Sequence, residues 1–371
     1  MKYQTEMLRR ELIKKTALAA TAFAFSRDLF ANVFNETVNQ YDPETIIKLG
    51  SNENPHGPGT AAKKAMIDAV AGSNRYPWDV TTVLREKIGK QFNLKKENVV
   101  IGAGSSELLG VVSTWAALQK GTVLSPDPTF RLWIPAAKRL GLEVNLLPLA
   151  GDKSINLNAV SNAIDSKTKL IYICNPNNPT GTIIPAKTLE NFIRNTPKQS
   201  IILLDEAYTE FCDEPSMAYL VNEYPNLVVA KTFSKACGMA GARVGYVLAH
   251  SDTAKQLTDL QPWANAGASA VSLAGAVATI DDTSFIEFCK QENMKARQVF
   301  CNALNEHKIP FIKSHTSFVY FDTTNYSKDF KSVLEANRIF GARTFEGGTK
   351  WLRLSVGTVS EMQAVAKALK S

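Results

Sequence analysis

Four short segments hold residues whose types and spacing could do chemistry. Thr232-Phe233-Ser234-Lys235 is followed by Gly238, Gly241 and Arg243. A lysine among hydroxyls and glycines, just past an apolar run, suits an imine-forming amine, because desolvation and a nearby cation favour its neutral form. Thr232, Ser234 and Arg243 could bind a phosphate, the guanidinium offering paired donors to its oxygens. Taken alone, the segment reads more readily as a surface loop. Ile201-Ile202-Leu203-Leu204 runs into Asp205-Glu206-Ala207-Tyr208. A carboxylate at the end of a buried strand requires a cation to stay ionised, and a protonated ring nitrogen would serve. A helix N-cap or a structural ion pair is the alternative for Asp205. Asn175-Pro176-Asn177-Asn178-Pro179-Thr180-Gly181 is an irregular turn that could aim Asn178 at a ligand oxygen. Gly102-Ala103-Gly104-Ser105-Ser106-Glu107 leads into a helix expected from near Leu108, whose first amides would make an anion site.

The elements around these segments predict how they are held. From about 99 to 250, short apolar runs alternate with helical patterns, the signature of a parallel α/β sheet. The expected strands are Val99–Ile101, Val123–Ser125, Val144–Leu147, Leu170–Cys174, Ile201–Leu204, Leu227–Ala230 and Val244–Leu248. Ligands of open α/β sheets sit beyond the carboxyl ends of the strands, where all four segments fall. Helical stretches at Glu287–Asn305 and Glu361–Leu369, with a strand at Phe318–Phe321, predict a smaller α+β domain at the C-terminus.

Composition narrows the class. A chain of 371 residues exceeds one small core. Of the net charge of +7, residues 1–27 supply +4 through six bases against two acids, and the remainder is spread without a basic cluster. That distribution argues against nucleic acid as a partner. No apolar run is long enough for a membrane span. Five scattered cysteines and four scattered histidines show no zinc spacing, so no metal is expected.

The order of the motifs resembles the class I/II aminotransferases of the aspartate aminotransferase superfamily, most of all histidinol-phosphate aminotransferase and its paralogues. The likeness runs from about Ile47 to the end. It rests on Asn52-Glu53-Asn54-Pro55 with Gly57-Pro58, Arg75-Tyr76-Pro77, the segments above, Pro128-Thr129-Phe130, and Trp351-Leu352-Arg353-Leu354-Ser355-Val356-Gly357-Thr358. It implies the fold of the pyridoxal 5′-phosphate (PLP) dependent transferases: a large domain with a mostly parallel sheet (53–262) and a small α+β domain (32–52 with 263–371). It implies Lys235 as the catalytic lysine that carries PLP. Asp205 would face the pyridine nitrogen, Asn178 and Tyr208 the 3′-oxygen, and Phe130 the ring. Ser105, Ser106, Thr232, Ser234 and Arg243 would surround the phosphate, with Tyr76 reaching it from the other subunit of a homodimer. Arg353 and Asn52 would bind substrate, and Arg343 a substrate phosphate, although Thr344 replaces the proline common after that arginine.

The implied reaction passes an amino group from an amino-acid or amino-alcohol-phosphate donor to a 2-oxo acid. Rival readings are an aminotransferase for aromatic or other unphosphorylated amino acids, a PLP lyase or decarboxylase, and a non-enzymatic binding module. Residues 1–31 stand apart. Arg9-Arg10 before the apolar stretch Thr16 to Phe25 reads as a twin-arginine export signal, hence a periplasmic location, or else as an N-terminal arm on a cytoplasmic protein.

Overall fold

A computed structural model describes residues 46–371; the expected export signal lies outside them. Seven strands form the larger sheet: β1 (Val99–Gly102), β2 (Thr122–Asp127), β3 (Glu143–Pro148), β4 (Thr168–Cys174), β5 (Ile201–Asp205), β6 (Leu227–Thr232) and β7 (Gly245–Ala249). Their order is β1-β7-β6-β5-β4-β2-β3. Every neighbouring pair from β6 to β3 is parallel, whereas β7 is antiparallel to both β1 and β6. Between β6 and β7 lies only a 3₁₀ turn at Ala240–Ala242, not the crossover helix that usually carries a parallel return.

Both faces of this sheet are covered, so its strands are apolar throughout, and their period of two sorts the side chains. Ile171, Ile173, Ile202, Leu204 and Val229 belong to the core on one face. Leu170, Tyr172, Cys174, Leu203 and Val228 belong to the core on the other, under helix α1 (Ser105–Leu118). The same parity holds to the carboxyl ends of β5 and β6. Asp205 and Thr232 emerge on the α1 face, and Glu206 and Lys231 on the opposite one.

A second sheet holds β8 (Phe318–Asp322), β9 (Arg343–Thr344) and β10 (Trp351–Ser355) in the order β9-β10-β8, all antiparallel. Two helices, α2 (Thr283–Glu306) and α3 (Val359–Lys370), pack against each other beside it. Helix α3 starts with a capping box: the Thr358 hydroxyl accepts from the Glu361 amide at 3.2 Å, and the Glu361 carboxylate accepts from the Thr358 amide at 2.7 Å. No described helix is long and apolar enough to cross a membrane.

Candidate active site

The carboxyl ends of β4, β5 and β6 open into a cavity of about 460 Å³. Asp205, the last residue of β5, lies opposite Cys174 in register and is 3 % exposed. The Tyr172 hydroxyl, two residues back along β4 and on the same face, donates to Oδ2 at 2.9 Å, and the Ala207 amide donates to Oδ1 at 3.1 Å. Burial raises the Asp205 carboxyl above the usual carboxylate range, and no ion pair offsets it among the described residues. It is a buried acid in want of a cation. The next helical element is a 3₁₀ turn at Thr209–Phe211 whose N-cap is Tyr208, so the capping alternative falls away.

Lys235 stands three residues beyond β6. Its Nζ donates to the Ser51 carbonyl at 3.1 Å and lies 5.8 Å from the centre of the Tyr208 ring. Burial, with Arg353 and Arg243 nearby, lowers its amine to about 8. The buried Tyr208 hydroxyl accepts from Asn52 at 3.0 Å and Asn178 at 3.5 Å. Asn52 adopts φ 53° and exchanges hydrogen bonds with Ser355, backbone amide to Oγ and Oγ to Oδ1, both at 2.8 Å.

A corner of the cavity is built for an anion. Helix α1 begins at Ser105, three residues earlier than expected, so Ser105 and Ser106 supply first-turn amides, and no side chain caps them. Gly104 (φ 79°) precedes them, and a Cβ there would run into the Arg243 guanidinium. Arg243 Nη1 donates to Ser234 Oγ at 3.4 Å, and the Thr232 hydroxyl donates to the same oxygen at 3.0 Å.

The smaller sheet closes the opposite side. Arg353, 4 % exposed on β10, donates from Nη1 to Asn178 Oδ1 at 2.6 Å and from Nη2 to the Gly50 carbonyl at 2.8 Å. Its guanidinium carbon lies 5.3 Å from the Phe318 ring centre and 4.7 Å from that of Phe345. Its Nε is buried without a hydrogen-bond partner, and burial lowers the group to about 10. Arg343, paired in register with Arg353 across β9 and β10, also lines the cavity, as does Phe130. Tyr76 does not line it. That side chain is 66 % exposed and packs on Trp263 and Trp78, ring centres 4.8 and 5.7 Å away.

These residues fit a phosphorylated pyridine aldehyde on four counts. The uncapped α1 terminus with Arg243 suits its phosphate, and the buried Asp205 suits its ring nitrogen. Tyr208 and Asn178 suit a ring oxygen, and the lowered Lys235 amine suits its carbonyl.

Comparison with known proteins decides the family. Residues 44–369 match the model of aminotransferase class I and II. The chain belongs to that family. Histidinol-phosphate aminotransferase of Caldicellulosiruptor saccharolyticus is 32% identical over 340 residues, 91% of this chain and 94% of that one. The namesake from Methanosarcina mazei is 33% identical over 372 residues, 98% and 97% of the two chains. The structure of histidinol-phosphate aminotransferase from Sinorhizobium meliloti in complex with PLP superposes with a TM-score of 0.79 at 24% identity, covering 88% and 90%. This aminotransferase is a PLP-dependent transaminase with the fold of its class. Sequence reasoning missed Tyr172, Phe345 and Arg131 at the site; period-two parity with Cys174 was the signal available for Tyr172.

Proposed function

We propose that this aminotransferase takes an amino donor bearing a phosphate, histidinol phosphate or a close amino-alcohol phosphate, and passes its amino group to a 2-oxo acid. The observation that carries this is the surplus of cation at the cavity mouth. Beyond Arg243 in the phosphate corner and Arg353 toward a carboxylate, Arg343 faces the cavity without an ion pair among the described residues. The names of the relatives support the same donor.

When bound, PLP supplies a carbonyl for the donor amine and a ring that withdraws electrons from the donor carbon. Asp205 keeps a positive charge beside its carboxylate. Lys235 Nζ would hold the cofactor and, once displaced, would take the proton from the donor carbon and deliver it to the carbon that was the cofactor's carbonyl. Arg353 orients a substrate carboxylate through its free Nε, while Phe318 and Phe345 exclude water from the guanidinium.

The decisive experiment is a donor screen on purified enzyme. Histidinol phosphate should be preferred over histidinol and aromatic amino acids, and Arg343→Ala should raise KM for the phosphorylated donor alone. Equal use of unphosphorylated aromatic donors would overturn this reading and favour the second one. That second reading draws on Arg9-Arg10, because export by a twin-arginine signal would remove the enzyme from biosynthetic phosphates. Fractionation of wild type against Arg9→Lys/Arg10→Lys separates the locations.

Exposed Tyr76, Trp78 and Trp263 support a homodimer in which Tyr76 reaches the partner's phosphate corner. Sedimentation should give a dimer, and a monomer with full activity would remove this arrangement. The two separate sheets support a small domain, 46–52 with 263–371, beside a large one at 53–262; residues 32–45 of the expected small domain lie outside the described ones.

A further inference from the structure

Two segments far apart in sequence meet next to Phe345, which lines the cavity. The hairpin 345–350 joins β9 to β10 and carries Phe345, whose ring covers Arg353. The next residue, Glu346, reaches away from the site. Both its carboxylate oxygens accept from Lys153 Nζ, at 2.9 and 2.8 Å. Lys153 sits in the turn 150–154 beyond β3, in a left-handed conformation with φ 65°. The Tyr320 hydroxyl on β8 also donates to Glu346 Oε1, at 2.5 Å. The Trp351 ring completes the cluster, 4.9 Å from Tyr320 and 5.0 Å from Lys153 Nζ. A second tie holds Phe345 itself, because Arg131 Nη2 donates to its carbonyl at 2.8 Å.

An exposed ion pair contributes little, since water and salt screen it. Lys153 and Glu346 keep only 19 % and 22 % of their side-chain surface exposed. Their pair is bidentate, receives a third hydrogen bond, and lies against an indole that also attracts the ammonium. Such a network fixes geometry as well as adding energy. What it fixes is the hairpin, hence Phe345, hence one of the two aromatic walls that hold the Arg353 guanidinium.

We propose that Glu346, clamped by Lys153 and Tyr320, is a positioning residue for the substrate-carboxylate site. It touches no substrate. It sets Phe345 over Arg353, so that Nε is desolvated and aimed before the substrate arrives. The proposal rests on reading Arg353 as the carboxylate-binding group.

The test compares Glu346→Gln, Lys153→Met, their double variant, the charge-swapped pair Lys153→Glu/Glu346→Lys, and Arg353→Met as holoenzymes. The cofactor absorbance confirms that each is folded and loaded. Glu346→Gln and Lys153→Met should each raise KM for 2-oxoglutarate roughly tenfold, with kcat within about twofold, because misaiming a binding group removes binding before chemistry. The double variant should be no worse than either single one, and the swapped pair should recover most of the loss. The half-reaction with an amino-alcohol donor that lacks a carboxylate should not change. An unmoved KM in both single variants would overturn the proposal, as would an equal loss with the carboxylate-free donor. If Arg353→Met also leaves KM unmoved, the reading of Arg353 itself falls. If only Arg353→Met raises it, the clamp alone falls.

Discussion

Lys231 and Lys235 lie four residues apart in one segment, and their surroundings give them opposite chemistry. Lys231 ends up on the sheet face away from the cavity, 4 % exposed, with Nζ 3.5 Å from Glu206 and 3.0 Å from Glu210. Burial disfavours its charge, but the two carboxylates outweigh burial and raise its pKa. Lys235, in the cavity, is 3.1 Å from a carbonyl; burial first and the Arg353 charge second lower its amine to about 8. The consecutive acids Asp205 and Glu206 divide the same way, Asp205 to the cavity without an ion pair and Glu206 to Lys231. One couple is satisfied and structural; the other is left in want of a guest.

The largest effect should come from Lys235→Ala. Losing the proton-carrying amine costs about 10²–10⁴-fold from acid–base catalysis alone, before the loss of cofactor attachment. Borohydride should fix cofactor to Lys235 in the wild type. A fixed adduct on Lys231 would break the comparison outright.

Asp205→Asn comes next. The variant should retain PLP yet lose activity about a hundredfold, since a neutral amide cannot hold a ring nitrogen protonated. Glu206→Gln, one residue on, should keep its turnover. Similar kinetics in the two variants would show that strand parity does not divide their roles.

Lys231→Met should act on stability instead. Removing one partner of a buried ion pair leaves carboxylates uncompensated and costs about 3 kcal/mol in denaturant unfolding, while kcat of the loaded enzyme stays near wild type. A larger loss of kcat than of stability would give Lys231 a part in the chemistry.

Much of this division was readable in the sequence. Asp205 closes an apolar strand and Lys235 comes shortly after one, so local pattern places them at carboxyl ends, and continued alternation sends Asp205 and Glu206 to opposite faces. Arg353 was legible through its flanking motif. The pairing of Lys231 with Glu206 and Glu210 was not, because it needs β5 beside β6 in register. Nor were the early start of α1 at Ser105 or the clamp of Glu346 on Lys153 across 193 positions. The clamp depends on a contact that no local window contains, whereas the reversal of β7 follows from the helix-free connection before it.

The smallest effect expected is a shift in the titration of Lys235. Burial is the main cause of its lowered pKa, and the Arg353 charge is the next. A nearby cation disfavours the protonated amine, so Arg353→Gln should move the pKa upward, toward but not reaching the ordinary lysine value, because burial remains. The neutral fraction at pH 8 then falls. Apoenzyme stripped of cofactor reports this directly, as the rate at which Lys235 captures added PLP at a series of pH values. In wild type that rate should rise with pH through a midpoint near 8, and in Arg353→Gln the midpoint should lie higher. The same substitution should leave Lys231 silent across that pH series, because its carboxylates favour the protonated amine. A midpoint that stays put would mean burial alone separates the two lysines. A midpoint that falls would mean Arg353 holds the amine protonated, contrary to the sign of its charge.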